Sequence, residues 1–104
     1  MNYKVIITTD AENDLECSIR YLLEVKKSRQ AAKNVLNDFM ITVKNLENVA
    51  GSLRYCEHPK LSEFGYKRIN FVSHRYFMLF RLDGNVAIVD KIFHELQDYE
   101  SKIK

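Results

Sequence analysis

The chain has 104 residues, 46% hydrophobic and 29% charged, with 3 Gly, 1 Pro and a formal net charge of +2. This composition excludes a disordered or low-complexity chain, and the length fits one packed domain, 1–104, with no place for a second. The longest apolar runs, such as Tyr76-Phe77-Met78-Leu79-Phe80, fall far short of the about 20 residues that cross a bilayer.

Met1-Asn2-Tyr3-Lys4-Val5 does not read as a signal peptide, so a cytoplasmic protein without a membrane partner is expected. Tyr3-Lys4-Val5-Ile6-Ile7-Thr8 is short and β-branched and predicts a strand. Thr9-Asp10-Ala11-Glu12 has the form of a capping box, which starts a helix that ends near Lys27. Its apolar positions Ala11, Leu15, Ile19, Leu22 and Leu23 line one face. Ser28 then caps a second helix, in which Ala32, Val35, Leu36, Phe39, Val43, Leu46 and Val49 recur at three and four until Gly51 stops it. A helix with one apolar stripe is unstable alone in water, so the pair should close as a hairpin on a common surface.

Residues 52–65, with Pro59 and Gly65, are expected as a long irregular connection. Beyond Gly65 the period changes to two, over 66–72, 76–82 and 86–93, with turn residues at Ser73-His74 and Asp83-Gly84-Asn85. Short turns make these strands an antiparallel meander, and the pattern leaves the place of the first strand open. Leu96, Tyr99 and Ile103 recur at helical spacing, so His94 to Ile103 predicts a short closing helix. The expected class is α+β, a two-helix hairpin packed on an antiparallel sheet of about four strands, in the order β-α-α-β-β-β-α.

Charge is unevenly spread. Residues 1–50 hold 7 Lys/Arg against 7 Asp/Glu, whereas 54–81 hold 6 against 2. A clustered positive potential suits a polyanion or an acidic peptide. Cys17 and Cys56 have no C-x-x-C spacing and are expected as free thiols in a reducing compartment. His94 and Asp98 stand four apart, a spacing that suits a metal, but no third and fourth ligand accompanies them, so neither metal nor cofactor is expected.

The order of elements, together with Tyr3-Lys4-Val5-Ile6-Ile7-Thr8-Thr9-Asp10-Ala11-Glu12-Asn13-Asp14-Leu15, Gly65-Tyr66-Lys67-Arg68-Ile69, the aromatic strand and Asp83-Gly84-Asn85 turn, and the closing Ile88 to Tyr99, resembles the RelE/ParE toxin superfamily over essentially the whole chain. The resemblance implies the toxin of a type II toxin–antitoxin system, neutralised by a cognate antitoxin and meeting operator DNA only through it. Two activities compete. Members similar to RelE cleave messenger RNA on the ribosome without a metal; members similar to ParE bind and poison DNA gyrase. A third outcome is an inactive relative that only binds its antitoxin.

Cleavage needs cations where negative charge grows at phosphorus, with an acid and a base within reach. Arg68 lies on a strand where the family carries a basic group, and its fork suits a phosphate. The bland alternative is a solvated strand face. His94 has an imidazole suited to proton transfer and Tyr99 a phenol that could act as acid or stack; either could equally be a helix cap or a packing residue. Lys67, Arg75 and Arg81 are candidate target contacts. His58, Lys60 and His74 are at most phosphate contacts, and Tyr55 and Phe64 could stack on bases or anchor their loop. Phe39, Met40 and Ile41 exceed one narrow stripe and are the candidate antitoxin surface. Two departures count against cleavage: Phe77 stands where many cleaving members have Arg, and Glu95-Leu96 where basic residues are frequent. The expectation as a whole is that the strand-borne cations and His94 gather on one concave surface.

Overall fold

In the computed structural model, which describes residues 2–95, the elements are β1 (Lys4–Ile7), α1 (Thr9–Glu24), α2 (Arg29–Val49), a 3-10 turn (Ala50–Ser52), α3 (Pro59–Glu63), β2 (Lys67–Asn70), β3 (Tyr76–Asp83) and β4 (Val86–His94). The cap of α1 is Thr8 and not Thr9. The Thr8 hydroxyl accepts from the Ala11 N–H at 3.2 Å, which puts Ala11 at the third helical position and Glu12 outside the reciprocal box. The reason is the sheet: the Thr8 N–H bonds to the Val89 carbonyl, which holds Thr8 extended where the helix begins. Helix α1 stops at Glu24, short of Lys27, which adopts a left-handed φ of 54°. Ser28 caps α2 as expected, accepting from the Ala31 N–H at 3.0 Å.

Gly51 does not end α2 through a left-handed turn; positive φ is confined to Lys27, Gly65 and Gly84 among the described residues. Gly51 sits in the 3-10 turn because a Cβ there would fall on the phenol of Tyr3. Close approach, not helix termination, is its purpose.

The sheet order is β1-β4-β3-β2. Strands β2, β3 and β4 form the expected antiparallel meander, and Gly84, with φ 62°, opens the two-residue turn between β3 and β4. The open question of β1 resolves to an edge position parallel to β4, with Lys4 opposite Val86 and Ile7 opposite Val89. A parallel neighbour requires a long crossover, and the connection to β4 runs through both helices and the meander. The register shifts at Leu79/Phe80, so that Asp90 is the extra residue of a bulge in β4.

The helices pack on one face of the sheet, over Met78, Phe80, Ala87, Val89 and Ile92. Leu36, Val49 and Leu23 of the expected stripes are exposed, and Asp38 and Thr42 are buried in their place. The Asp38 carboxylate, 3% exposed, accepts from the N–H groups of Val72 (3.1 Å) and Ser73 (2.9 Å) and contacts His74 Nδ1 at 2.7 Å, tying α2 to the β2–β3 turn. The opposite face carries a smaller cluster of Leu61, Phe77, Leu79 and Phe93, with Cys56 and Tyr66 against it. The connection 52–65 is therefore more ordered than expected. Tyr55 bridges Lys67, and α3 lowers Leu61 onto the sheet. His94 is the last residue of β4 and not the start of a helix; the expected closing helix with Leu96, Tyr99 and Ile103 lies outside the described residues. No helix among the described residues is long and apolar enough to cross a membrane.

Candidate functional site

Strand alternation decides which side chains share a face. Arg68 pairs in register with Leu79 and lies over the Phe77 ring, with its guanidinium carbon 3.8 Å from the centroid. Its Nε donates to Asn70 Oδ1 at 2.8 Å, and a terminal nitrogen stands 3.7 Å from Glu95. Arg68 thus belongs to the face away from the helices. Beside it a cleft of about 480 Å³ is bordered by Arg54, Tyr55, Cys56, Glu57, His58, Arg68 and Asn70. Burial pushes the Cys56 thiol above its ordinary pKa, and the charge of Arg68 pulls the other way. His58 Nδ1 accepts from the Lys60 N–H at 3.2 Å and so caps α3.

His94 belongs to the other face. It pairs with Tyr76, whose ring it meets edge-on at 5.0 Å, and Tyr76 is part of the core beneath the helices. A larger cleft, about 860 Å³, opens between α1 and the end of β4, lined by Asp14, Cys17, Tyr21, Lys26, Lys91 and His94 among others. Asp14 accepts from the Ile92 N–H at 3.0 Å, so the helix takes over the edge of β4 beyond the reach of β1. The expected gathering of Arg68 with His94 is therefore corrected: the sheet separates them. Tyr76 and His94 share the helix-side layer, whereas their chain neighbours Phe77 and Phe93 belong to the layer of Arg68.

The remaining candidates are also redistributed. Lys67, expected at the target surface, is 6% exposed on the helix-side face and holds its ammonium over the Tyr55 ring at 4.9 Å. Arg81 gives its Nε to Asp90 Oδ2 at 2.9 Å, and the same oxygen accepts from the Tyr66 hydroxyl at 2.9 Å. The hydrogen bond and charge of Asp90 raise the Arg81 pKa. Burial, reinforced by Asp90, raises that of the Tyr66 phenol. Arg75 is exposed in the approach to β3. Phe39, expected at a partner surface, is partly buried against Phe71, with ring centroids 6.2 Å apart, whereas Met40 and Ile41 are exposed. Tyr99 lies outside the described residues.

Sequence reasoning assigned no role to Arg54, Asp38, Tyr66 or Asp90, and it did not join Arg81 to the last two. Asp38 carried a signal, a lone acid inside an apolar stripe. The Asp90 group depends on the bulge, which no periodicity announces. Cys17 and Cys56 are both free. Among the described residues no group of three His, Cys, Asp or Glu is arranged to hold a metal ion.

No protein-family model matches the sequence, and no curated protein matches it significantly. Solved structures do. The chain is similar to one from the chromosomal ParDE TA system of P. aeruginosa, with 21% identity and a TM-score of 0.69 over 88% of this chain and 95% of the other. It is also similar to a chain of the toxin–antitoxin complex RelBE2 from Mycobacterium tuberculosis, with 18% identity and a TM-score of 0.56 over 90% and 99%.

Proposed function

We propose that this chain, whose fold is that of the RelE/ParE toxins, is the toxin of a type II toxin–antitoxin pair that inhibits growth by binding its target, in the manner of ParE-like gyrase inhibitors. Support for a toxin comes from the extent of the structural likeness, about nine-tenths of the chain in both comparisons, each to a toxin–antitoxin assembly. The partner that restrains it is a cognate antitoxin.

The observation that carries the choice of mechanism is the separation of Arg68 from His94 across the sheet. In-line cleavage of a ribose–phosphate backbone needs an acid, a base and cations around one phosphorus, within about 3 Å of the reacting oxygens. Here the imidazole faces a cleft under α1 and the guanidinium faces the opposite layer, stacked on Phe77 and drawn to Glu95. Lys67 and Arg81, cations on the strands around Arg68, are engaged with Tyr55 and Asp90, and Arg54 shares the cleft of Arg68, away from His94. Fold likeness by itself does not fix a reaction, so the site must decide.

The test is expression of the chain in bacteria, which is expected to slow growth. The purified chain is expected to inhibit supercoiling by gyrase, and translating-ribosome assays are expected to give no cleaved message. Ribosome-dependent cleavage that disappears in Arg68→Ala or His94→Ala would replace this reading with an endoribonuclease. Normal growth with abundant soluble chain would remove the toxin reading itself.

A further inference from the structure

The larger cleft, about 860 Å³, lies at the end of the sheet where β1 has run out and α1 flanks β4. Asp14, Cys17, Ser18 and Tyr21 recur at three and four along α1, so one helical face forms its wall. The floor is apolar: Tyr76 and Ile92 belong to the core, and Leu22 packs against it. The polar groups stand at the sides. Lys26 turns its ammonium back over the Tyr21 ring, 5.9 Å from the centroid, and Lys91 reaches from β4 toward Asp10 at 3.4 Å, a pair open to water. Two cations from different elements therefore border one apolar recess. The one acid among its described lining residues, Asp14, is engaged with the Ile92 N–H at 3.0 Å.

We propose that this cleft is a binding site for a small organic anion with a flat apolar body, an aromatic carboxylate being the simplest case. The proposal is independent of the toxin reading. Volume and lining are those of a small-molecule site, since such pockets hold about 300–1,000 Å³ and are mostly apolar, with a few polar groups that orient the ligand. Charge sets the sign of the head group. Lys26 and Lys91 outnumber Asp14, and the exposed Lys91–Asp10 pair is weak enough to give way to a ligand carboxylate. An added β-strand fits less well. Strand addition draws on free backbone donors at a sheet edge, and here the Asp14 carboxylate already accepts from Ile92. An occupant would join α1 to β4 past the end of β1, so it stabilises the native chain over the unfolded one, the more so as its concentration rises.

The test uses the full chain with naphthoate as the probe and the neutral naphthylmethanol as its control, followed by backbone amide shifts in NMR spectra and by thermal melts. Naphthoate is expected to bind saturably with a Kd below about 1 mM, to shift the amides of Ser18, Tyr21 and Ile92, and to raise the melting temperature. The alcohol should bind about tenfold more weakly, as should naphthoate to Lys26→Gln with Lys91→Gln, since each loses the attraction of two exposed pairs. Lys33→Gln, exposed on α2 and away from the cleft, should leave Kd unchanged, which separates the cleft from a general attraction to a basic chain. Bound naphthoate should also slow alkylation of Cys17, which lines the cleft, and leave that of Cys56 as it was. Four results would overturn the site: no saturable binding by the parent chain, equal affinity for the alcohol, amide shifts centred on the Arg68 cleft, or unchanged affinity in a double variant that melts like the parent.

Discussion

Replacing Asp38 should cost more stability than any other single polar substitution considered for this chain. Its carboxylate, 3% exposed, receives two backbone N–H groups and contacts the imidazole of His74 at 2.7 Å, across a separation of 34 to 36 residues. Asp38→Ala strands those groups at the β2–β3 turn. A hydrogen bond to a charged group contributes about 1.5–3 kcal/mol, but Val72 and Ser73 are exposed and water re-enters beside them, so the low end applies and the total is about 3–4 kcal/mol. Against a domain stability of about 5–15 kcal/mol this is a large share. Asp38→Asn keeps one acceptor and should lose about half as much, and His74→Ala, which removes one contact, about 1 kcal/mol. Urea unfolding followed by circular dichroism reads the difference as a shifted midpoint at constant m. The pair Asp38→Ala and His74→Ala should fall short of additivity, because both remove the same contact. An Asp38→Ala midpoint within about 0.5 kcal/mol of the parent's, the range of an ordinary surface change, would refute the reasoning.

Gly51→Ala should cost about 1–2 kcal/mol, because the new methyl displaces the Tyr3 ring; thermal melts should show that the penalty largely vanishes in a Tyr3→Ala background, and an equal penalty in both backgrounds would rule out the close approach. At neutral pH an alkylating reagent should modify exposed Cys17 before Cys56, whose thiol burial holds in the protonated form; Arg68→Ala, which removes the opposing pull, should slow Cys56 further, and mass spectrometry that finds Cys56 labelled first would contradict this. The Tyr66 phenol has a raised pKa in the folded chain, so the native state holds this proton more tightly than the unfolded state. Its stabilising contribution is whole below the ordinary tyrosine value of about 10 and is lost as pH rises through the raised folded value. Tyr66→Phe should therefore flatten the alkaline fall in stability, and melts with the same alkaline slope in parent and variant would count against the assignment.

Periodicity carries information about one face at a time, and this explains what was legible in the sequence. The β-branched opening, the two stripes and the period-two segments are local patterns, and each produced an element in the expected place. The stripes misled where Leu23, Leu36 and Val49 repeat correctly but lie outside the layer that the sheet covers, and they missed the buried Asp38 and Thr42. The position of β1 was not legible, since pairing is chosen by partners far apart in sequence. Nor was the true cap: Thr8 and Thr9 are chemically alike, and the hydrogen bond to Val89 makes the choice. Lys67 looked like a surface cation by type, yet its place opposite Phe80 takes its stem inward, while the Tyr55 ring accommodates its charge.

The same alternation bears on function. Arg68 was legible as a cation on a strand, and His94 as an imidazole at the end of another, but convergence is a property of parity and register that neither residue announces. A strand puts successive side chains on opposite faces, so the register Tyr76 with His94 and Leu79 with Arg68 is enough to part the two groups. No rotamer change brings His94 to the Phe77 face while its strand stays paired. A shift of one residue in β4 could, but it would also move Ile92 and Phe93 to the wrong layers, exchanging a buried aliphatic and a buried aromatic contact. The hydrophobic pattern that makes the sheet therefore also fixes where the charges can act. On this scaffold binding chemistry is open to either face, and acid–base chemistry that needs Arg68 and His94 together is not.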